Sequence, residues 1–92
     1  MHTKEELLKW QHDKEFQLEE VRQNGLSIIF IHSPDRDVQL AAVKRNGYSI
    51  EFIHNPDGDV MIEALNQDPD SIRFIDIEKY PEMYEYYRFL KV

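Results

Sequence analysis

A 15-residue pattern occurs twice in this chain at a spacing of 22 residues. Asn24–Val38 reads NGLSIIFIHSPDRDV, and Asn46–Val60 reads NGYSIEFIHNPDGDV. Over one full period, residues 24–45 and 46–67 are identical at 12 of 22 positions, which chance does not produce. A fixed period of this kind is typical of repeat proteins, in which each unit buries its apolar face only by stacking on a neighbour. The repeat therefore constrains the chain to fold as a stack.

The same period continues on both sides of the two matched units. The core pattern Ser-Ile-x-Phe-Ile returns after them at Ser71, Ile72, Phe74 and Ile75. Three apolar residues precede their repeat equivalents by the same 22 residues: Phe16, Leu18 and Val21. We interpret residues 1–92 as a single domain with internal repeats near 2–23, 24–45, 46–67 and 68–92.

Each unit carries the start and stop signals of a long helix. Ser33 and Asn55 are N-cap residue types, and each is followed by a proline, which suits the first helical position. Asn24-Gly25 and Asn46-Gly47 are typical of helix ends in which the glycine is left-handed. These signals, with the N-terminal and C-terminal amphipathic stretches, predict long helices near residues 4–23, 34–45, 56–66 and 81–91.

The segment that connects the long helices is ambiguous. Its β-branched and aromatic residues suit a short strand, whereas Ser27 and Ser49 are residue types that cap a short helix. The third copy begins Asp68-Pro69-Asp70-Ser71, which is a strong helix-start signal. We predict an all-α fold, a short helical-repeat stack of alternating long and short helices. A βα repeat is the alternative.

The units resemble the repeats of domain of unknown function 4116, which read like D-x-x-V-x-x-A-A-V-x-x-N-G-x-x-L. The residues that carry the resemblance are Asp37, Val38, Ala41, Ala42, Val43, Asn46, Gly47 and Ile50. The likeness extends over about residues 15–75. It implies a helical-repeat fold and no active site, and the third unit departs from it at Asn66-Gln67-Asp68-Pro69.

Composition and charge exclude several classes of protein. The 92 residues contain no cysteine, which excludes disulfides and thiolate chemistry. No apolar run approaches the ~18 residues that a membrane span needs, so we expect a cytoplasmic protein without a membrane partner. The net charge is −7; residues 47–92 hold ten acidic and four basic side chains, against eight and seven in residues 1–46. This charge disfavours nucleic acid and favours a partner with a basic surface.

No recognised catalytic or metal-binding motif occurs in the chain. His32 and His54 share one repeat position, but equivalent positions in stacked units are about 8–10 Å apart, too far to share a metal ion. Asp57-Gly58-Asp59 lacks the third acid and the distant Glu of a calcium loop. We therefore expect no catalytic residues, no cofactor, no metal and no enzymatic activity.

Comparison of the units indicates two exposed apolar residues. Ile29 stands where the other units have Glu51 and Arg73, and Met61 stands where the preceding unit has Gln39. A repeat position that is polar in one copy faces solvent in a regular stack. We therefore predict that Ile29 and Met61 are exposed and belong to a binding surface.

The terminal helix has more aromatic side chains than one inward face can bury. Its apolar positions of helical spacing, which we expect to face inward, are Met83, Tyr86, Tyr87 and Leu90. Tyr84 and Phe89 remain on the flanks, and we predict that they anchor a partner. The alternative is that a small domain wraps both rings into its core. Four acidic residues are predicted to surround the anchors: Glu63, Asp70, Glu82 and Glu85.

Two functions follow from these features. The first is a non-enzymatic protein-binding domain, an inhibitor or adaptor that blocks a protein or ribonucleoprotein complex with a basic surface. In size, acidity and lack of cysteine the chain resembles small phage anti-CRISPR proteins, which implies a viral inhibitor acting in the host cytoplasm. The alternative is direct contact with RNA or DNA through basic residues of the first half and a stacking ring: Arg22, Arg36, Lys44, Arg45 and Tyr48.

Overall fold

The computed structural model describes residues 3–92, and every regular element in that range is a helix. The α-helices are α1 (Lys4–His12), α2 (Lys14–Gln23), α3 (Arg36–Arg45), α4 (Gly58–Gln67) and α5 (Pro81–Lys91). The shorter 3₁₀ helices are η1 (Gly25–Phe30), η2 (Gly47–Phe52) and η3 (Pro69–Phe74). The all-α prediction is confirmed. The βα alternative is wrong, because the Ser-Ile-x-Phe-Ile segments form the 3₁₀ helices.

The helices form two layers that follow the 22-residue period. Helices α2, α3 and α4 begin at residues 14, 36 and 58, and η1, η2 and η3 begin at residues 25, 47 and 69. Each long helix packs on the next long helix, and each short helix packs on the next short one. The resulting stack measures 46 × 22 × 21 Å with a radius of gyration of 13.8 Å, against about 12 Å for a compact domain of this length. The molecule is therefore elongated.

The core lies between the two layers and is built from repeat positions. Val21, Val43 and Leu65 occupy one such position, and each has 0% exposure. Ile28 and Ile50 occupy another, on η1 and η2, and are 1% and 2% exposed. Burial of an aliphatic side chain of this size contributes about 1.5–3 kcal/mol. Stacking therefore supplies each unit with the apolar contact that it lacks alone.

The helix predicted over residues 4–23 is divided in two at Asp13, so that prediction is wrong. Asp13 is extended (φ −109°, ψ 97°), and its N–H donates to Lys9 O, which ends α1. Its carboxylate then accepts the N–H of Phe16 at 3.1 Å, which caps α2. An Asp that ends one helix and begins the next lets α1 turn back on α2. Side chains of α1 reach the end of η1, where Gln11 bonds Phe30 O and the ring centroids of Trp10 and Phe30 are 5.1 Å apart.

The predicted N-caps Ser33 and Asn55 are also wrong, since α3 and α4 begin two residues later than expected. The N-caps are Asp35 and Asp57. The Asp57 carboxylate accepts the N–H of Val60 at 3.0 Å, whereas Asp35 makes no such bond. Asn55 is instead a left-handed residue with φ of 49°, a conformation that Asn tolerates better than most residues.

The Asn-Gly pairs end the helices by a different mechanism from the one predicted. Asn24 and Asn46 are extended, with φ of −148° and −153°, and no glycine within residues 3–92 has a positive φ. The N–H of Asn46 donates to Ala42 O to end α3, and its side chain accepts the N–H of Tyr48 to begin η2. The Asn of each pair therefore ends the long helix with its main chain and begins the short helix with its side chain. Ser49, expected as a cap, is buried instead.

Candidate protein-binding surfaces

Helix α5 ends the stack and packs on α4 and η3. Met83 is 5% exposed, and Tyr86 and Leu90 pack against the core beside it. The hydroxyl of Tyr86 donates to Asn66 Oδ1 at 2.5 Å, which ties α5 to the C-terminal end of α4. The predicted inward face is present, except that Tyr87 is only half-buried and contacts Tyr84 rather than the core. A defined inner face leaves the opposite side of α5 open to solvent.

Tyr84 and Phe89 are both on the open side, with 42% and 74% exposure. The Tyr84 ring packs on Tyr87 with centroids 5.9 Å apart, and the Phe89 ring packs on Tyr86 at 6.3 Å. Five residues of α-helix turn the chain by 500°, so the two rings are separated by about 140° around the helix axis. The structure therefore places them on opposite flanks of α5 rather than in one patch.

The predicted acidic residues are distributed unevenly around these rings. Glu82 and Glu85 are exposed and share the Phe89 flank by helical spacing. Glu85 also pairs with Arg88 at 3.5 Å. Glu63 is half-buried on α4, and Asp70 is exposed on η3, so neither lies on α5. Of the four acidic residues, only Glu82 and Glu85 lie on α5, and both are on the flank of Phe89.

The two apolar residues that were predicted to be exposed from the comparison of units differ in their exposure. Ile29 is 56% exposed on η1, as predicted, but Met61 is 1% exposed and belongs to the core, so its predicted exposure is wrong. The reason is visible at Gln39, the repeat equivalent of Met61. Gln39 is half-buried, and its side-chain amide donates to Pro34 O at 2.9 Å. Gln39 is therefore polar because its amide forms a hydrogen bond inside the protein, and not because this repeat position faces solvent.

A groove separates the connectors that follow η1 and η2, and sequence comparison found only one of its residues, Ile29. Its lining is formed by Ile29, Phe30, Ile31, His32, Ser33, Glu51, Phe52 and His54. The short helix η1 contacts α2, α3 and η2, whereas α5 contacts α4 and η3. The groove and α5 are therefore two separate surfaces.

Three of the basic residues proposed for nucleic acid contact lie together. Arg22, Lys44 and Arg45 line a cleft between α2 and α3, together with Asp37 and apolar side chains. Arg45 Nε donates to Gln23 O, its own repeat equivalent, at 3.2 Å. All three cations are in the last turn of their helices, where they complement the helix dipole. The cleft is basic, but part of its positive charge interacts with the C-terminal ends of α2 and α3.

The remaining two candidates for nucleic acid contact are engaged within the protein. Arg36 binds Asp57 at 2.6 Å through Nε and binds Asp59 through its terminal nitrogen. The hydrogen bond and charge of Asp57 raise the pKa of Arg36 above its ordinary value. Tyr48 is half-buried, and its ring contacts Phe74 with centroids 5.4 Å apart. Neither side chain joins the basic cleft.

The Arg36 contact repeats one unit earlier. Lys14, the repeat equivalent of Arg36, binds Asp37 at 2.6 Å and Asp35 at 3.6 Å. In each case a cation at the first position of one helix joins two carboxylates at the start of the next. The hydrogen bond from Lys14 lowers the pKa of Asp37 below its ordinary value. Asp57 and Asp59, for which a calcium loop was rejected from the sequence, are thus bound to Arg36.

The described part of the chain holds no group of three or more side chains suited to binding a metal ion. His32, His54 and Glu51 all line the groove between the connectors, but they do not form such a group. Among residues 3–92, no helix is long and apolar enough to cross a membrane. The features that remain are surfaces: the Phe89 flank of α5, the groove and the basic cleft.

A family model described as Domain of unknown function (DUF4116) matches residues 35–80, which are 46 of the 92 residues. The match begins at the N-cap of α3 and ends before α5. The family resemblance predicted from the Asn-Gly units is confirmed. No curated protein and no solved structure matches the chain. The likeness to anti-CRISPR proteins stays a prediction from size and composition.

Proposed function

We propose that this chain, which belongs to the DUF4116 family, is a non-enzymatic protein-binding domain whose partner docks on α5. The observation that carries the proposal is the exposure of Phe89. Its ring is 74% exposed on the last helix of the stack. Much of its apolar surface is therefore in contact with water and would be buried by a partner. Exposed aromatic side chains are enriched among the residues that dominate binding energy at protein interfaces.

The surroundings of Phe89 define the chemistry of the partner. Glu82 and Glu85 border the ring, and residues 47–92 carry ten acidic side chains against four basic ones. A negative rim attracts a basic surface and accelerates the encounter. We therefore propose a partner with an apolar pocket rimmed by Lys and Arg.

A basic surface of this kind is typical of complexes that bind nucleic acid. Occupying it would exclude the phosphate backbone by both volume and charge, since each neutralised cation no longer attracts a phosphate. In its specific form the proposal is that the domain inhibits such a complex, as the likeness in size and composition to anti-CRISPR proteins suggests. Its partner would then lose affinity for nucleic acid when the domain binds.

Site-directed photo-cross-linking tests the docking surface. A photoreactive phenylalanine analogue is placed at position 89 in cells that naturally produce the protein, and the control places it at position 8. Leu8 is 53% exposed on α1, at the other end of the chain. We expect one specific adduct from position 89, and the purified adduct partner should bind the wild-type domain with an affinity that falls as salt rises. Adducts from position 8 alone would overturn the proposal.

The second candidate function is contact with RNA or DNA at the cleft between α2 and α3. The convergence of Arg22, Lys44 and Arg45 on one cleft favours it. Asp37 lines the same cleft, and Tyr48 is not available there for stacking. If three cations contact phosphates of single strands, the logarithm of affinity should fall with the logarithm of salt concentration with a slope of about −2. A titration of a labelled oligonucleotide measures this slope, and no binding at low salt would reject the candidate.

A further inference from the structure

The side-chain amide of Gln11 binds the main chain at the end of η1 through two hydrogen bonds. Its Nε2 donates to Phe30 O at 2.7 Å, and its Oε1 accepts the N–H of His32 at 2.9 Å. Ile31, which lies between them, is extended with φ of −103° and ψ of 122°. Along an extended chain, the carbonyl before a residue and the N–H after it point to the same side. The Gln11 amide thus occupies the place that the N–H and C=O of one residue of an added strand would take.

The same main-chain arrangement recurs after η2, where it has no such partner. Ile53 is extended with φ of −107° and ψ of 118°, so Phe52 O and the N–H of His54 are oriented like their counterparts around Ile31. Neither atom forms a hydrogen bond with any residue in the described range 3–92.

The difference between the two sites lies in one repeat position. The residue 22 positions after Gln11 is Ser33, which lines the groove but makes no hydrogen bond to the end of η2. A serine side chain is two bonds shorter than that of Gln and ends in a single hydroxyl, so it does not span the two main-chain atoms. The groove between the connectors therefore keeps an open donor and acceptor.

The walls of the groove add side-chain chemistry to this open edge. Ile29 is 56% exposed and provides apolar surface beside Phe52. Glu51, the repeat equivalent of Ile29 on η2, is exposed and also lines the groove. An apolar contact, an anionic contact and a main-chain donor and acceptor are the features of a site that binds an extended peptide by β-augmentation.

We propose that this groove binds an extended segment of another protein. The N–H and C=O of one residue of that segment would bond Phe52 O and the N–H of His54, as the Gln11 amide bonds Phe30 O and the N–H of His32. An apolar side chain would pack on Ile29, and a Lys or Arg would pair with Glu51. The site does not depend on the α5 surface, because it lies at the other short helices of the stack.

Other occupants fit the groove less well. A nucleic acid backbone would place phosphate beside Glu51, which is unfavourable for both charges. The main chain of an α-helical partner has already used its N–H and C=O groups internally, except at its ends. An extended segment has these groups available along its length, which matches the two open atoms after η2.

The direct test is an NMR titration with a defined peptide. The probe is an acetylated and amidated hexapeptide, Thr-Thr-Leu-Thr-Lys-Thr, whose Leu and Lys lie on one face when it is extended. We expect saturable shifts of the amides of Glu51 and His54 at millimolar peptide. The amide of His32 should shift little, because Gln11 already binds it. No saturable shift at His54 would overturn the proposal.

Two matched variants distinguish the groove from nonspecific binding. Ser33→Gln places the same amide at the repeat position of Gln11, so it should slow hydrogen exchange at His54 and abolish the peptide shifts there. Gln11→Ala should speed exchange at His32 and create peptide shifts at that amide. Peptide shifts at His54 that Ser33→Gln leaves unchanged would overturn the proposal. Shifts that depend on protein concentration without peptide would also overturn it, because they would assign the groove to a second copy.

Discussion

Gly47 lies against the main-chain carbonyl of Ala64, the residue in the next unit whose carbonyl ends α4. A Cβ atom on Gly47 would stand 2.6 Å from Ala64 O and 2.7 Å from Ser71 Oγ. Gly25 has the same relationship to Ala42 and Ser49 one unit earlier. The glycine of each Asn-Gly pair is therefore required by the contact between units, and not by the left-handed conformation that the sequence suggested.

The first prediction concerns this contact. Gly47→Ala should destabilise the fold by about 1–3 kcal/mol, because a main-chain oxygen at 2.6 Å yields only if the end of α4 moves. Gly58→Ala is the matched control, since a Cβ there meets nothing within 4 Å. At the first position of α4 this change should stabilise by about 0.5–1 kcal/mol. Chemical denaturation of both variants measures the difference, and equal stabilities would contradict the close approach.

The second prediction concerns the ladder of cations and carboxylates between helices. Arg36→Met should lower the melting temperature slightly at low salt, because it removes the contacts with Asp57 and Asp59. The effect should fade at high salt, since exposed ion pairs are screened. Lys44→Met is the control, a cation on the same helix without an ion pair within the described residues. A loss for Arg36→Met that does not depend on salt would contradict an electrostatic role.

The third prediction concerns acid. The N–H of Val60 and then the Arg36 guanidinium lower the pKa of Asp57 in the folded chain. The stability that this carboxylate adds is complete above the unfolded-chain value of about 3.9. It is lost as the pH falls through the lower folded-state pKa. Asp57→Asn keeps a capping side chain but removes the charge, so it should be less stable than wild type at pH 7, and the difference should shrink as the pH falls below about 3.9. Melting temperatures across that range measure the convergence.

The fourth prediction concerns the aromatic anchor. Phe89→Ala should weaken binding to the α5 partner by about 2 kcal/mol or more if the ring fills a pocket. It should leave the free energy of unfolding nearly unchanged, since the ring is 74% exposed. Tyr84→Ala is the matched variant on the opposite flank and should have the smaller effect on affinity. Calorimetry for binding and denaturation for stability separate the two roles, and an affinity loss that only parallels unfolding would move the interface elsewhere.

The fifth prediction concerns the acidic rim. Glu82→Gln with Glu85→Gln should slow association with the partner and flatten its dependence on salt, while the dissociation rate changes little. Glu15→Gln with Glu19→Gln is a control that removes the same charge from α2, at the other end of the stack. Surface plasmon resonance at two salt concentrations measures both rates. Equal effects of the two pairs would indicate net charge rather than a rim around Phe89.

The sequence by itself determined the repeat and the approximate places of α3, α4 and α5, and it favoured the all-α class over a βα repeat. These features are local or periodic. The turn from long to short helix depends on the Asn in each Asn-Gly pair, and burial follows repeat positions such as that of Val21, Val43 and Leu65. Exposure of Tyr84 and Phe89 was also predictable, because the helical spacing of α5 places them outside its inward face. Exposure of Ile29 was predictable because its repeat equivalents are Glu51 and Arg73.

Only the tertiary structure decided features that depend on how one unit meets another. Met61 is buried although its repeat equivalent is Gln39, because the Gln39 amide finds a main-chain partner at Pro34. Gln11 reaches the end of η1 because Asp13 turns α1 back. Gly47 is required because the carbonyl of Ala64, 17 residues later in the chain, leaves no room for a Cβ atom. Local propensity carries no information about such contacts, since their energy depends on distances between units that the chain adopts only when it is stacked.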